Sequence, residues 1–484
     1  MDVVEYAQHD ATGLAELIRG KEVTVEEVHA AARAAIELVN PTINALSQGP
    51  WEKVLEHRCD GRFAGVPFAL KDDPGCHAAG VRYRYGSRLT GAGITFGYDT
   101  YAMQRFRDSG LAALGVTTVP EFLAFPDTVT KVNGATRNPW DPTRSVGGSS
   151  GGAAAIVASG ALPIAHASDG GGSIRVPASW NGVVGLKPSR GRVSLGPDKH
   201  EVIGSGLGYE FVITRTLRDC AAMLDSLSGS MPGDPFMIES PGRPWEQELK
   251  TPPRRLRVAV CTRAFSGETD PEVAAVVEGA ARTLEQLGHH VDTAAPDIDW
   301  ERFMAGFAPM AGAGIYAFIN GIAMLAGRKP NADTLEAASL AAYRYGTDVT
   351  VDEILFIGGP INNICQAFGE FFARWDLLLT PTTQVPAQPL GYLNEIDPEA
   401  TFDRWLNRYF EKLATFTPLF NITGGPALSL PLGQTSDCLP VGVQLATPMC
   451  DEATLFQVAA QLEEALPWAD RRPTIHPATA QARR

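Results

Sequence analysis

Cysteine is scarce and poorly spaced for cross-linking. The 484 residues hold seven (Cys59, Cys76, Cys220, Cys261, Cys365, Cys438, Cys450), an odd count with no Cys-x-x-Cys pair. That argues against a disulfide framework and a zinc ribbon, and predicts free thiols in a reducing, cytoplasmic setting. Positive charge is also short, with 41 Lys and Arg against 55 Asp and Glu and a net charge of −14. Without a basic run, neither nucleic acid nor an anionic membrane surface is an expected partner. The opening MDVVEYAQHDATG lacks the basic and apolar regions of a signal peptide. No uncharged apolar run is expected to reach the ~18 residues that cross a bilayer. A Gly-Lys-Ser/Thr phosphate loop is missing as well, which disfavours a nucleotide cradle.

What the chain has instead is glycine beside serine. Gly147-Gly148-Ser149-Ser150-Gly151-Gly152 and Gly170-Gly171-Gly172-Ser173 flank one expected small-residue helix (151–159) and one short apolar strand (162–167). Glycine at such density implies positive φ or close approach of the main chain. The two clusters can face each other across one site. A helix is expected from Ser173 to Trp180, which puts Ser173 at or just before a helix start, where N–H groups point outward.

Elsewhere the pattern alternates between strand and helix. Two helices are expected over 11–40, with Thr24 and Glu27 at capping-box spacing and Asn40-Pro41 as the stop. Residues 64–71 read as a buried strand ending on Lys71-Asp72-Asp73. Residues 98–114 read as a helix followed by a strand at 115–118. From 254 to 293 a strand, a helix capped by Asp270-Pro271 and a second strand form a β-α-β unit. Residues 301–375 are mostly helical. Strands are expected at 376–381, 427–431 and 441–445, and a last helix at 451–466. The sum points to an α/β sheet, and the length leaves open up to about three domains or one large α/β domain.

A serine needs a base to take its proton and donors to hold the oxyanion. Near the glycine clusters the histidine is His166, which reads more simply as a satisfied core residue. Lys71 is the other candidate. A lysine at the end of an apolar strand either snorkels outward or is buried and loses its charge, and a neutral lysine can serve a serine as base.

Lys71 in Gly-Val-Pro-Phe-Ala-Leu-Lys-Asp, the first glycine-serine cluster, Asp169-Gly-Gly-Gly-Ser-Ile-Arg-Val-Pro177 and Gly185-Leu-Lys-Pro188 together resemble the amidase signature family. So do Thr136–Trp140, Leu379–Pro381, Asn421–Pro431 and Pro440–Gln444, so the resemblance runs over nearly the whole chain. It implies a single α/β amidase domain over 1–478, a large twisted mixed sheet with helices on both faces, with a signature core at about 62–190; the tail at 479–484 is expected to be loose. It implies a Ser–cisSer–Lys triad with Ser173 as nucleophile, Ser149 as the serine after a cis peptide bond and Lys71 as base. The N–H groups of Gly170, Gly171, Gly172 and Ser173 would form the oxyanion hole. Ser150, Asp169 and Arg175 would support the loops.

The implied reaction is hydrolysis of a linear or cyclic carboxamide through an acyl-enzyme, with no metal or organic cofactor. The implied partner is a small amide, and a homodimer is left open. The 166–175 segment and the tail helix look like stand-alone bacterial amidases. An amidotransferase A-type subunit and a non-catalytic binding relative are the alternatives. The pocket is expected from loops 76–97, 120–135 and 195–210 and from 301–375, for an uncharged or aryl amide.

Two positions depart from the family pattern. Gly170 stands where a side chain is common. Asp73 would share the face of Lys71 in a continuing strand and would hold it charged. Pro74-Gly75 is expected to turn Asp73 toward solvent or a backbone donor, and a close Asp73–Lys71 pair would count against the mechanism.

Overall fold

Eleven strands build one sheet. They are β1 (Leu46–Gln48), β2 (Pro67–Lys71), β3 (Ala112–Thr117), β4 (Ile164–Ser168), β5 (Val184–Lys187), β6 (Glu210–Thr214), β7 (Arg257–Val260), β8 (His290–Thr293), β9 (Leu377–Pro381), β10 (Ala427–Gln434) and β11 (Pro440–Ala446). The computed structural model describes residues 1–198, 206–393, 399 and 401–481. The strand order is β1-β3-β2-β4-β6-β5-β10-β11-β9-β7-β8. β2 runs parallel to β3 and β4, and β7 runs parallel to β8 and β9. The other neighbours are antiparallel, so the sheet is mixed. Helices flank it, as expected of an α/β protein.

The central strands are buried along their whole length, as in β2, β3, β6 and β9. Strands covered on both faces read as unbroken apolar runs, which is how β2, β3 and β9 show in the sequence, whereas β6 has no counterpart among the expected strands. The β-α-β unit is present as β7, helix Pro271–Gln286 and β8, with the Asp270 side chain accepting from Glu272 N–H. All seven cysteines are free thiols.

Several boundaries differ from expectation. Helix Val25–Ile43 runs through Pro41 and ends at Asn44, which sits at φ 51° and donates its N–H to the Asn40 carbonyl. The proline costs one helical N–H, but in the last turn the Asn44 cap closes the end instead. The expected helix at 98–114 is only Tyr101–Ser109, because Gly110 takes φ 90° and stops it. Strand β3 therefore starts at Ala112, three residues earlier than expected. Strand β4 starts two residues later than expected and ends one later, which places Ser168 at the strand end beside Lys71. An extra helix, Val3–Gln8, is closed by a capping box between Asp2 and Glu5.

The bilayer expectation also needs correction. Helix Trp300–Ala326 is long and apolar enough to cross a membrane by length and composition, and about a third (33%) of its most apolar window is buried in the fold. Gly, Ala, Asn and Tyr thin out its apolar side chains without adding a charge, so it does not read as one run. Its inner face lies over the site described next.

Candidate active site

Strand β2, third in the sheet, ends on Lys71. Its backbone N–H donates to His166 Nδ1 on the neighbouring strand β4 at 3.1 Å. His166 Nε2 lies 2.8 Å from a Glu210 carboxylate oxygen on β6. Nδ1 must therefore be the accepting nitrogen, and Nε2 carries the proton toward Glu210. Both ring nitrogens are occupied. His166 fixes the strand end on which Lys71 stands.

The Lys71 side chain is fully buried. Its Nζ lies 2.9 Å from Ser149 Oγ, 2.8 Å from Ser150 Oγ and 2.8 Å from Ser168 Oγ. The peptide bond between Gly148 and Ser149 is cis. The glycines of this first cluster answer to packing. A Cβ on Gly148 would lie 2.6 Å from the Phe125 carbonyl oxygen. The cluster is thus pressed against the 125–128 segment, whose Thr128 hydroxyl donates to the Gly147 carbonyl at 2.8 Å.

The second cluster is held by a buried charge pair. Asp169 exchanges two backbone hydrogen bonds with Tyr209, of 2.8 and 3.1 Å. Its carboxylate accepts from Gly172 N–H at 2.7 Å, from Ile174 N–H at 3.1 Å, and from Arg175 Nε and Nη2 at 2.9 Å each. Arg175 is pinned in turn by Gln444 at 2.8 Å and Asn421 at 2.6 Å. Burial alone would raise the Asp169 carboxyl, but the Arg175 charge and these donors hold it well below the usual carboxylate range. Removing one side of such a pair strands the other. Arg175→Met is expected to cost about 3–5 kcal/mol, read as a fall in the denaturant midpoint at constant slope. An unchanged midpoint would show that the pair does not hold the loop.

The Gly171 carbonyl is also fixed. Thr417 Oγ1 donates to it at 2.8 Å and Tyr409 Oη at 3.1 Å. Gly172 has φ 131°, and a Cβ there would meet Thr417 Oγ1 at 2.4 Å. This is the glycine in the cluster that the backbone itself requires. Of the four N–H groups expected at the oxyanion hole, the structure engages one elsewhere. Gly172 N–H is spent on Asp169, whereas among the described residues no acceptor meets the N–H of Gly170, Gly171 or Ser173.

Ser173 precedes helix Arg175–Asn181 by two residues and is half-buried. Its carbonyl accepts from Ser150 N–H at 3.2 Å, which ties the two clusters together. Ser149, Ser168, Gly170, Gly171 and Ser173 line one cavity of about 330 Å³. The rest of its lining is largely apolar, with Phe125, Phe307, Met310, Phe318, Trp405 and Tyr409. The 122–126 loop, residues 207–210 and helix Trp300–Ala326 contribute as expected, but loop 76–97 does not reach the cavity. Residues 199–205 of the expected 195–210 loop lie outside the described residues. Helix Phe402–Lys412, which supplies Trp405 and Tyr409, was not anticipated.

Asp73 overturns its expectation, and the close pair it forms with Lys71 favours the ammonium, which counts against Lys71 as a base wherever the amine stays charged. Oδ1 does take a backbone donor, Gly75 N–H at 2.7 Å. Oδ2, however, accepts from the Ser168 hydroxyl and lies 3.9 Å from Lys71 Nζ. The residue is 2% exposed. The chain folds back on itself at once, with Asp73 N–H bonded to the Lys71 carbonyl at 2.8 Å, so the carboxylate stays on the lysine's side.

The Amidase family model matches residues 24–456. The 6-aminohexanoate-cyclic-dimer hydrolase of Paenarthrobacter ureafaciens is 39% identical, with 96% of each chain covered. The amidase AmiC of Mycobacterium leprae is 34% identical over 95% of this chain and 96% of its own. A solved structure of 6-aminohexanoate cyclic dimer hydrolase superposes with a TM-score of 0.89 at 36% identity, covering 97% of this chain and 99% of that one. Fold, glycine-serine clusters and buried lysine thus agree with one family, and the chain belongs to the amidase signature family of amide hydrolases.

Proposed function

We propose that Ser173 attacks a substrate carbonyl, with Ser149 relaying its proton to Lys71. The observation that carries this reading is the buried Lys71 amine 2.9 Å from Ser149 Oγ, with Ser149 and Ser173 lining one cavity. The N–H groups of Gly170, Gly171 and Ser173 are the donors for the oxyanion. The relay runs back to protonate the leaving amine, and water then releases the acid from the Ser173 ester. Asp169 and Arg175 hold the loop rigid and take no proton.

The substrate is an uncharged amide with apolar flanks. Among the described residues no Lys or Arg lines the cavity to receive a carboxylate, while Asp73, Asp169 and Glu210 do line it. A cavity of about 330 Å³ suits a small molecule. The likeness to a hydrolase named for a cyclic dimer supports a cyclic or internal amide. The test compares kcat/KM for 6-aminohexanoate cyclic dimer, its linear dimer with a free carboxylate, and glutamine. The neutral cyclic amide is expected to be favoured by about tenfold or more. Preference for glutamine would instead favour an amidotransferase A-type role.

A further inference from the structure

Oxygens crowd the Lys71 amine: the hydroxyls of Ser149, Ser150 and Ser168, and the Ser168 carbonyl at a longer 3.4 Å. Ser168 Oγ–H donates to Asp73, since an ionised carboxylate only accepts. Ser168 Oγ must then accept from Lys71 Nζ. The Ser150 hydroxyl donates to the Ser168 carbonyl at 3.1 Å, so it too accepts from Nζ. Two amine hydrogens are thereby committed. The next position on nitrogen faces Ser149 Oγ. In a neutral amine that position is the lone pair, ready for the Ser149 proton. In an ammonium it is a third N–H, and the relay is blocked.

We propose that Asp73, acting through the Ser168 hydroxyl, is a positioning residue that aims the Lys71 amine and sets the pH above which the serine relay operates. The inference rests on Lys71 being the base of the proposed reaction. Burial of the amine favours its neutral form, whereas a carboxylate 3.9 Å away favours the ammonium. Asp73 therefore helps the proton arrive during attack on the carbonyl and resists its loss at low pH.

The other groups around this corner are differently placed. Asp72 points away, with Oδ1 on Arg84 N–H at 2.9 Å, and burial pushes it up to about 6. Glu210 is engaged by His166 on the far side of the Lys71 backbone. Asp169 is neutralised by Arg175. The Cys76 thiol is pushed up by burial, with the Glu210 and Asp73 charges adding, and burial lowers His77. The Tyr85 phenol is likewise raised by burial. Among the described residues, Asp73 is the carboxylate within ion-pair distance of Nζ.

The test measures how fast a small alkyl fluorophosphonate adds to the intact protein between pH 5 and 10, by mass spectrometry, so no substrate need be known. Asp73→Asn can keep the Gly75 contact through Oδ1. Its acid limb is expected to move down by about one pH unit or more, and its high-pH plateau to fall about tenfold. Ser168→Ala keeps the charge but cuts the bridge, so its limb is expected to move down by less. It also carries the test if Asp73→Asn does not fold. An acid limb that stays at the wild-type pH in the variant would overturn the inference while leaving Ser173 as nucleophile. No adduct on the wild-type protein at any pH would overturn both.

Discussion

Ser173→Ala is expected to lower kcat/KM for any amide the enzyme turns over by at least about 10³-fold, with little change in stability. The side chain is half-buried at the cavity wall, and its removal leaves the Asp169–Arg175 brace and the Ser150 N–H to Ser173 carbonyl bond in place. The loss should fall on kcat, with KM nearly unchanged, because the apolar wall that receives the substrate is untouched. Stopped-flow or end-point amine release over a range of substrate concentrations separates the two. A variant with near-normal kcat would move the nucleophile elsewhere.

The second large effect belongs to Lys71. Lys71→Met keeps most of the volume of a fully buried side chain and removes the amine that three serine hydroxyls surround. A loss of about 10³-fold or more in kcat/KM is expected. Residues that act as one unit are not additive. Lys71→Met combined with Ser173→Ala should therefore be about as slow as the worse single variant. His166 is not a spare base, since Nδ1 receives the Lys71 N–H and Nε2 faces Glu210. Strictly multiplicative losses in the double variant would show that the two residues do not share a step.

Much of this arrangement is legible in the chain itself. The strand ending on Lys71 shows as an apolar run interrupted by a charge, and the glycine-serine clusters mark where main chain packs closely. The parts that are not legible depend on long-range contacts. Tyr409 and Thr417 reach the Gly171 carbonyl from more than two hundred residues away, and no local pattern marks them. Asn421 and Gln444 sit in segments with recognisable form, but their grip on Arg175 appears only when helix Thr417–Thr423, β11 and the glycine loop come together. Asp73 was misplaced for a different reason. Strand alternation puts it on the lysine's face, and a turn was expected to take it off again. The turn is there, but it is tight enough to return the carboxylate to Ser168. Gly110 and Pro41 make the same point about boundaries. A glycine that takes φ 90° stops a helix, whereas a proline in a last turn need not.

The central claim is that Ser173 is an activated nucleophile served by Lys71 through Ser149. Its most direct test is intact-protein mass spectrometry after exposure to a fluorophosphonate at pH 8, followed by peptide mapping. The account predicts one adduct, located on Ser173, slow to form in Lys71→Met and missing from Ser173→Ala. An adduct of equal rate in Ser173→Ala, or one mapped to another residue of the wild-type chain, would contradict it.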